Sequence, residues 1–94
     1  MKKYVELAKK YLADNDSVTL KELEANEEDA FWTAKAAEGA NEKAAFYASK
    51  VAYKVADVAR AIALTDDDDY VEHCKQKAIE AIKEYEELTN EPTH

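Results

Sequence analysis

The sequence predicts an all-α fold, a small four-helix bundle with a short N-terminal helix, three longer helices and no strands. Its most regular feature is an alanine ladder with steps of three and four residues, the helical period. The ladder consists of Ala30, Ala34, Ala37, Ala40, Ala44, Ala48, Ala52, Ala56, Ala59 and Ala63. The chain has one glycine and one proline, and no stretch alternates apolar and polar residues long enough to form a half-buried strand. Its 94 residues suffice for one modest core, and we expect a single helical domain over residues 1–89.

The N-terminal segment predicts a short amphipathic helix over residues 1–13. Its apolar positions share one face, and they are Tyr4, Leu7, Ala8, Tyr11 and Leu12. Residues 14–17 read Asp-Asn-Asp-Ser. These side chains bond to nearby backbone and favour turns, so the first helix ends there.

A capping box marks the start of the second helix. Thr19 is followed three residues later by Glu22, which is the spacing at which each side chain reaches the other residue's backbone amide. The inner face of this helix begins with Leu20 and Leu23. It continues with either Phe31 or Ala34.

Two alternatives exist for the segment around Gly39. Glycine commonly follows a helix end and asparagine caps a new helix, so Gly39 and Asn41 favour a break. The alanine ladder, however, crosses this segment in phase. One helix over residues 20–64 would be about 65 Å long at 1.5 Å per residue. A chain of this size could cover that length only by oligomerising, so we expect the break.

The remaining sequence predicts two more helices, over residues 42–64 and from about residue 67 to 89. The first carries a second apolar stripe beside the alanine ladder, formed by Tyr47, Val51, Val55, Val58 and Ile62. The inner face of the last helix comprises Val71, Cys74, Ala78, Ile82 and Tyr85. Residues 90–94 have nothing to bury, and we expect a frayed tail there.

Charge and composition argue against several functional classes. The net charge is -8, which disfavours anionic lipid and direct nucleic-acid binding. No apolar run approaches the roughly 20 residues of a membrane span, and the N-terminus has charges where a signal peptide needs an apolar core. The single cysteine, Cys74, excludes an internal disulfide. A cytoplasmic location fits these features best.

The sequence favours neither a metal site nor an enzyme. Asp66–Asp69 lack the spacing and central glycine of a calcium loop, and carboxylates are favourable at a helix start. His73 and Cys74 are neighbours, so their side chains diverge by about 100° on a helix. A nucleophile would need a positioned base, and no such pair stands out. We therefore expect no catalytic residue, no metal and no cofactor.

A resemblance to a known group covers about half of the chain. It extends from Val18 to Ile62 and includes Thr-Leu-Lys-Glu-Leu at 19–23, Asp-Ala-Phe-Trp-Thr-Ala-Lys-Ala-Ala at 29–37 and Lys-Ala-Ala-Phe-Tyr-Ala-Ser-Lys-Val-Ala at 43–52. In these segments the chain resembles Ala-rich helical proteins of bacteria and phages that are described as immunity proteins. The resemblance implies neutralisation of a toxin by binding, and it supplies no catalytic motif.

The leading functional hypothesis is a non-enzymatic, stoichiometric inhibitor that docks an acidic helical face on a basic patch of a partner protein. An immunity protein or a phage counter-defence protein would act in this way. Charge is segregated, since residues 14–30 and 64–94 are net acidic while 1–13 and 31–63 are net basic. The candidate partner-binding residues are Glu80, Glu84, Glu87 and Trp32. Complementary charge would guide encounter, and exposed apolar residues would supply affinity.

Two other functions remain open. Rings beside cations can hold a base and its phosphates, so an oligomer could sequester a nucleotide between protomers. The candidate nucleotide-binding residues are Trp32, Lys35, Tyr47, Lys50, Lys54 and Arg60. Ordered carboxylates could instead mimic nucleic acid. The stronger expectation for most aromatic residues of this region is core packing opposite the alanine ladder, with Trp32 partly exposed at an edge.

Overall fold

A computed structural model describes residues 1–39 and 41–89, which form four α-helices. They are α1 (Lys2–Ala13), α2 (Leu20–Ala36), α3 (Asn41–Leu64) and α4 (Asp68–Thr89). Nothing in this part of the chain is a strand. The predicted fold class, a small four-helix bundle, is confirmed. The expected frayed tail, residues 90–94, lies outside the described residues.

Helix α3 is the centre of the bundle. It packs against each of the other helices, and α1 also packs against α2. Its buried residues are small or β-branched, namely Ala45, Ala48, Val51, Ala52, Val55, Ala56, Val58, Ala59 and Ala61. Such short side chains allow neighbouring helices to approach closely. The volume beside them is filled by larger residues of the other helices in the same core cluster, including Tyr4, Tyr11, Leu23, Ile82 and Tyr85.

The capping box at the start of α2 is confirmed. The Thr19 hydroxyl accepts a hydrogen bond from the Glu22 amide at 3.1 Å, and the Glu22 carboxylate accepts one from the Thr19 amide at 3.1 Å. Both groups would otherwise lack an intrahelical partner. The N-terminus of α2 is therefore defined by two side chains that lie three residues apart in the sequence.

The expected break between α2 and α3 is confirmed. Helix α2 ends at Ala36 and α3 begins at Asn41. Gly39 has a φ of 66°, in the left-handed region that glycine adopts without steric penalty. The short connection makes α2 and α3 antiparallel neighbours.

The expected inner-face position of Ile62 is wrong, and so is Phe31, one of the two alternatives for α2, whereas the other alternative, Ala34, is half-buried. Phe31 is 45% exposed and Ile62 is 42% exposed, whereas Ala30 and Ala61 are buried. A helical stripe can advance by three or four residues per turn, and the periodicity does not decide which. In both cases the smaller neighbouring residue faces the core.

Removing the hydroxyl of Thr19 tests the contribution of the cap. Thr19→Ala is expected to lower the free energy of unfolding by about 1 kcal/mol, because the Glu22 amide loses its acceptor. Thr19→Ser keeps the acceptor and should be close to wild type. Urea unfolding followed by circular dichroism measures both variants, and equal stability of the two would contradict the assignment.

The alanine ladder offers a matched test of close packing. Ala56 is fully buried in α3, while Ala63 on the same ladder is exposed. Ala56→Leu is expected to destabilise the fold by about 1–3 kcal/mol through overpacking, and Ala63→Leu should stay within about 0.5 kcal/mol of wild type. Similar losses in the two variants, measured by urea unfolding, would show that α3 is not closely packed at Ala56.

Candidate functional site

An open groove lies on the surface between α2 and α3, and we call it the aromatic groove. Its volume is about 810 Å³. The aromatic residues that line it are Phe31, Phe46, Tyr47 and Tyr53, and its lysines are Lys35, Lys43 and Lys50. A second depression, lined partly by Glu24, Glu27, Glu28 and Arg60, shares Phe31, Ser49 and Tyr53 with it. We call this continuation the acidic extension.

Four aromatic side chains of α2 and α3 are exposed, and we call them the aromatic face. Phe31 is 45%, Trp32 61%, Phe46 61% and Tyr53 48% exposed. The expectation that most of these rings fill the core is therefore wrong, whereas partial exposure of Trp32 is confirmed. The physical reason is that tyrosines and aliphatic residues of the other helices already occupy the space beside the alanines. Of the rings in this region, half-buried Tyr47 packs against the core cluster.

The exposed rings contact one another and nearby lysines. Phe31 and Trp32 meet edge to face at 5.3 Å between ring centroids, and Phe46 and Tyr47 do so at 5.8 Å. The ammonium of Lys35 lies 5.4 Å from the Phe31 centroid. Similar contacts join Lys50 to Tyr47 at 6.0 Å and Lys54 to Tyr53 at 5.5 Å. At these distances a cation is attracted to the face of a ring.

Arg60 joins α3 to α2 at the acidic extension. Its guanidinium donates a hydrogen bond to Glu27, pairs with Glu24 at 3.5 Å and donates to Asp57 at 3.1 Å. The hydrogen bond to Glu27 is the largest of the effects that raise the pKa of Arg60. This guanidinium is thus engaged by carboxylates of its own chain.

The candidate ligand residues occupy different parts of this surface. Lys35, Tyr47 and Lys50 line the aromatic groove. Trp32 adjoins it through Phe31, and Lys54 adjoins it through Tyr53. Arg60 lines the acidic extension. The structure therefore gathers these residues along one surface instead of around one enclosed pocket.

The candidate acidic residues of α4 lie partly at the edge of the groove. Glu84 pairs with Lys50 of the groove at 3.3 Å, and Glu80 pairs with Lys77 of its own helix at 3.7 Å. Glu87 is exposed and follows Glu84 at the spacing of one helix face. Acidic α4 thus flanks Lys50, a basic residue that lines the groove.

Tyr70 adds an aromatic ring from α4 that the sequence did not single out. It is 53% exposed. A hydrogen bond to Cys74 raises the pKa of the Tyr70 hydroxyl the most, and the proximity of Asp57 and Tyr53 raises it further. Its proximity to charged and titratable groups of α3 depends on how α4 packs on α3, so helical periodicity within α4 carried no signal for it.

The Asp66–Asp69 run is a helix start. The Asp67 carboxylate accepts hydrogen bonds from the amides of Asp69 and Tyr70, each at 3.1 Å. The Asp67 amide donates to the Thr65 hydroxyl at 3.0 Å.

Across residues 1–39 and 41–89, no three His, Cys, Asp or Glu side chains are grouped so that they could hold a metal ion. In the same ranges, no helix has the length and apolar character needed to cross a membrane.

The fluorescence of Trp32, the one tryptophan of the chain, reports its exposure. In dilute solution we expect acrylamide to quench the folded protein nearly as efficiently as the urea-unfolded chain, because the indole is 61% exposed. N-acetyltryptophanamide serves as the fully exposed reference. Strong protection of the folded protein would contradict the placement of Trp32.

Comparison with known proteins finds no matching protein family, no similar curated protein and no similar solved structure.

Proposed function

We propose that the protein is a non-enzymatic binding protein that docks stoichiometrically on a partner protein through its aromatic face. An inhibitor of the immunity or phage counter-defence type would act in this way. The observation that carries the proposal is the exposure of Phe31, Trp32, Phe46 and Tyr53 on neighbouring surface. Exposed apolar patches mark interaction sites, and aromatic residues commonly dominate the affinity of an interface.

Acidic residues supply the second part of the proposal. The net charge of -8 attracts a partner with a basic surface and speeds its encounter. Glu80 and Glu87 of α4 contribute to this field, and Glu84 contributes less because Lys50 neutralises it. We place this interaction in the cytoplasm, where a single unpaired cysteine is stable.

A nucleotide-like anion is the second candidate, because the aromatic groove combines rings with lysines. Its volume of about 810 Å³ lies within the range of small-molecule sites, roughly 300–1,000 Å³. Carboxylates already engage Lys50 and Arg60, however. The remaining lysines of the groove, Lys35 and Lys43, would have to bind the phosphates, and the carboxylate of Glu42 lines the same groove. This weak local charge favours a protein partner over the nucleotide. Mimicry of nucleic acid is a third candidate and predicts competition with DNA for a basic protein.

Affinity capture from a lysate of the source organism tests the proposal. We expect the wild type to retain a protein at a ratio near one to one. Trp32→Ala and Phe46→Ala should weaken this binding at least about tenfold, the factor that corresponds to a loss of 1.4 kcal/mol. Ile62→Ala is the control, because Ile62 is a large apolar residue that is 42% exposed but does not belong to the aromatic face.

The contrary outcomes are distinct. Equal retention by all variants would exclude the aromatic face as the docking surface, and absence of any stoichiometric partner would overturn the proposed function. Glu80→Lys/Glu87→Lys should slow association and reduce its sensitivity to salt, while Glu84 is left intact to keep its pair with Lys50. Heat of binding and a change in Trp32 fluorescence on titration with ATP would instead favour the nucleotide.

A further inference from the structure

We propose that two copies of this chain associate face to face through the aromatic groove and its acidic extension, antiparallel about a two-fold axis. This inference goes beyond the proposed function and does not depend on it. Because both interactions use the aromatic face, self-association and partner docking are mutually exclusive. The dimer is then a state in which the docking surface is covered.

The two ends of this surface carry opposite charge. The end nearest the connection between α2 and α3 is lined by Lys35, Lys43 and one carboxylate, Glu42. The acidic extension is lined by carboxylates of α2 together with a single guanidinium, and these residues are Glu24, Glu27, Glu28 and Arg60. The surface is therefore mildly basic at one end and net acidic at the other.

This separation of charge runs along the axes of α2 and α3. Helices α2 and α3 are antiparallel, and Arg60 near the end of α3 contacts Glu24 and Glu27 in the first half of α2. Both charged ends thus lie along the same pair of helices. On α2, Glu24 and Lys35 are separated by about 16 Å at 1.5 Å per residue.

A surface with this charge distribution is complementary to a second copy of itself. The two-fold axis of a face-to-face, antiparallel dimer lies in the interface plane, perpendicular to the helices. It places the Lys35 and Lys43 end of each copy opposite the Glu24 and Glu28 end of the other. A two-fold interface requires this reciprocity, in which the same patch serves both copies. The rings at the centre then stack on those of the second copy.

Contacts between the rings and between the local charges must overcome the electrostatic repulsion between two acidic chains. Each copy carries a net charge of -8, so distant charges oppose association. Phe46 is 61% and Tyr53 is 48% exposed, and burying these rings supplies the affinity. The charged ends select the antiparallel arrangement, since a parallel one would place like charges opposite each other.

A charge-swap experiment tests this arrangement. Lys35→Glu/Lys43→Glu makes both ends acidic, and Glu24→Lys/Glu28→Lys removes the acidic end. Glu27 is kept as a carboxylate partner of Arg60, although the longer contact of Arg60 with Glu24, at 3.5 Å, is lost in this variant. We expect wild type to dimerise as its concentration rises, each variant alone to dimerise at least tenfold more weakly, and their equimolar mixture to form a one-to-one heterodimer. Light scattering and sedimentation equilibrium measure all three.

Two control variants change the total charge equally, at residues of α4 that line neither the aromatic groove nor the acidic extension. Lys77→Glu/Lys83→Glu matches the first variant, and Glu80→Lys/Glu87→Lys matches the second. Both are expected to dimerise within about threefold of wild type. Circular dichroism confirms that each variant is folded before its mass is measured.

Three results would overturn the inference. They are a wild type that stays monomeric at every accessible concentration, charge-swap variants that dimerise like wild type, and a mixture that does not restore the dimer. Phe46→Ala should also abolish the dimer while Ile62→Ala preserves it. A monomeric wild type that still retains a protein partner would refute only self-association, and a dimer without any partner would refute only the proposed function.

Discussion

The packing of α3 against all the other helices is the constraint on which the rest of the structure depends. Its buried face consists of alanine and valine, which protrude little and leave space that the neighbours must fill. Tyrosine, leucine and isoleucine side chains of α1, α2 and α4 fill that space. Once these residues occupy the core, the four rings of the aromatic face have no interior position left. Their exposure is a consequence of a complete core.

The same packing determines the form of the candidate site. Helix α3 contributes Phe46, Lys50 and Tyr53 to the groove, and the adjacent helices hold its edges in place. Arg60 binds carboxylates of α2, and Lys50 binds Glu84 of α4. These pairs are partly exposed, so each contributes little to stability. Their main effect is to orient the helices relative to one another. They also leave the cations of Lys50 and Arg60 paired with carboxylates, so these cations are less available to an anionic ligand.

The charge distribution connects the two proposals. A partner with a basic surface is drawn by the whole acidic protein, whereas a second copy is repelled by it and must match the groove locally. The net charge of the protein therefore favours binding of a basic partner, whereas the local arrangement of charges in the groove favours binding of a second copy. A dimer held mainly by rings and a few charged pairs would yield to a partner that offers both affinity and opposite charge. Under the two proposals, the aromatic face would serve two competing interactions.

Local chemistry determined most of the fold. Thr19 and Glu22 are close enough in sequence to define a helix start by themselves, and Gly39 supplies a backbone conformation that ends the segment between two helices. The sequence also indicated an exposed Trp32 and the close contact implied by the alanine ladder. Helical periodicity alone could not decide between Ala30 and Phe31, or between Ala61 and Ile62, because a stripe can advance by three or four residues. The tertiary structure decided which rings remain exposed and that Arg60 and Lys50 pair with carboxylates of neighbouring helices. Each of these depends on residues distant in sequence filling or sharing the same space, which local patterns do not encode.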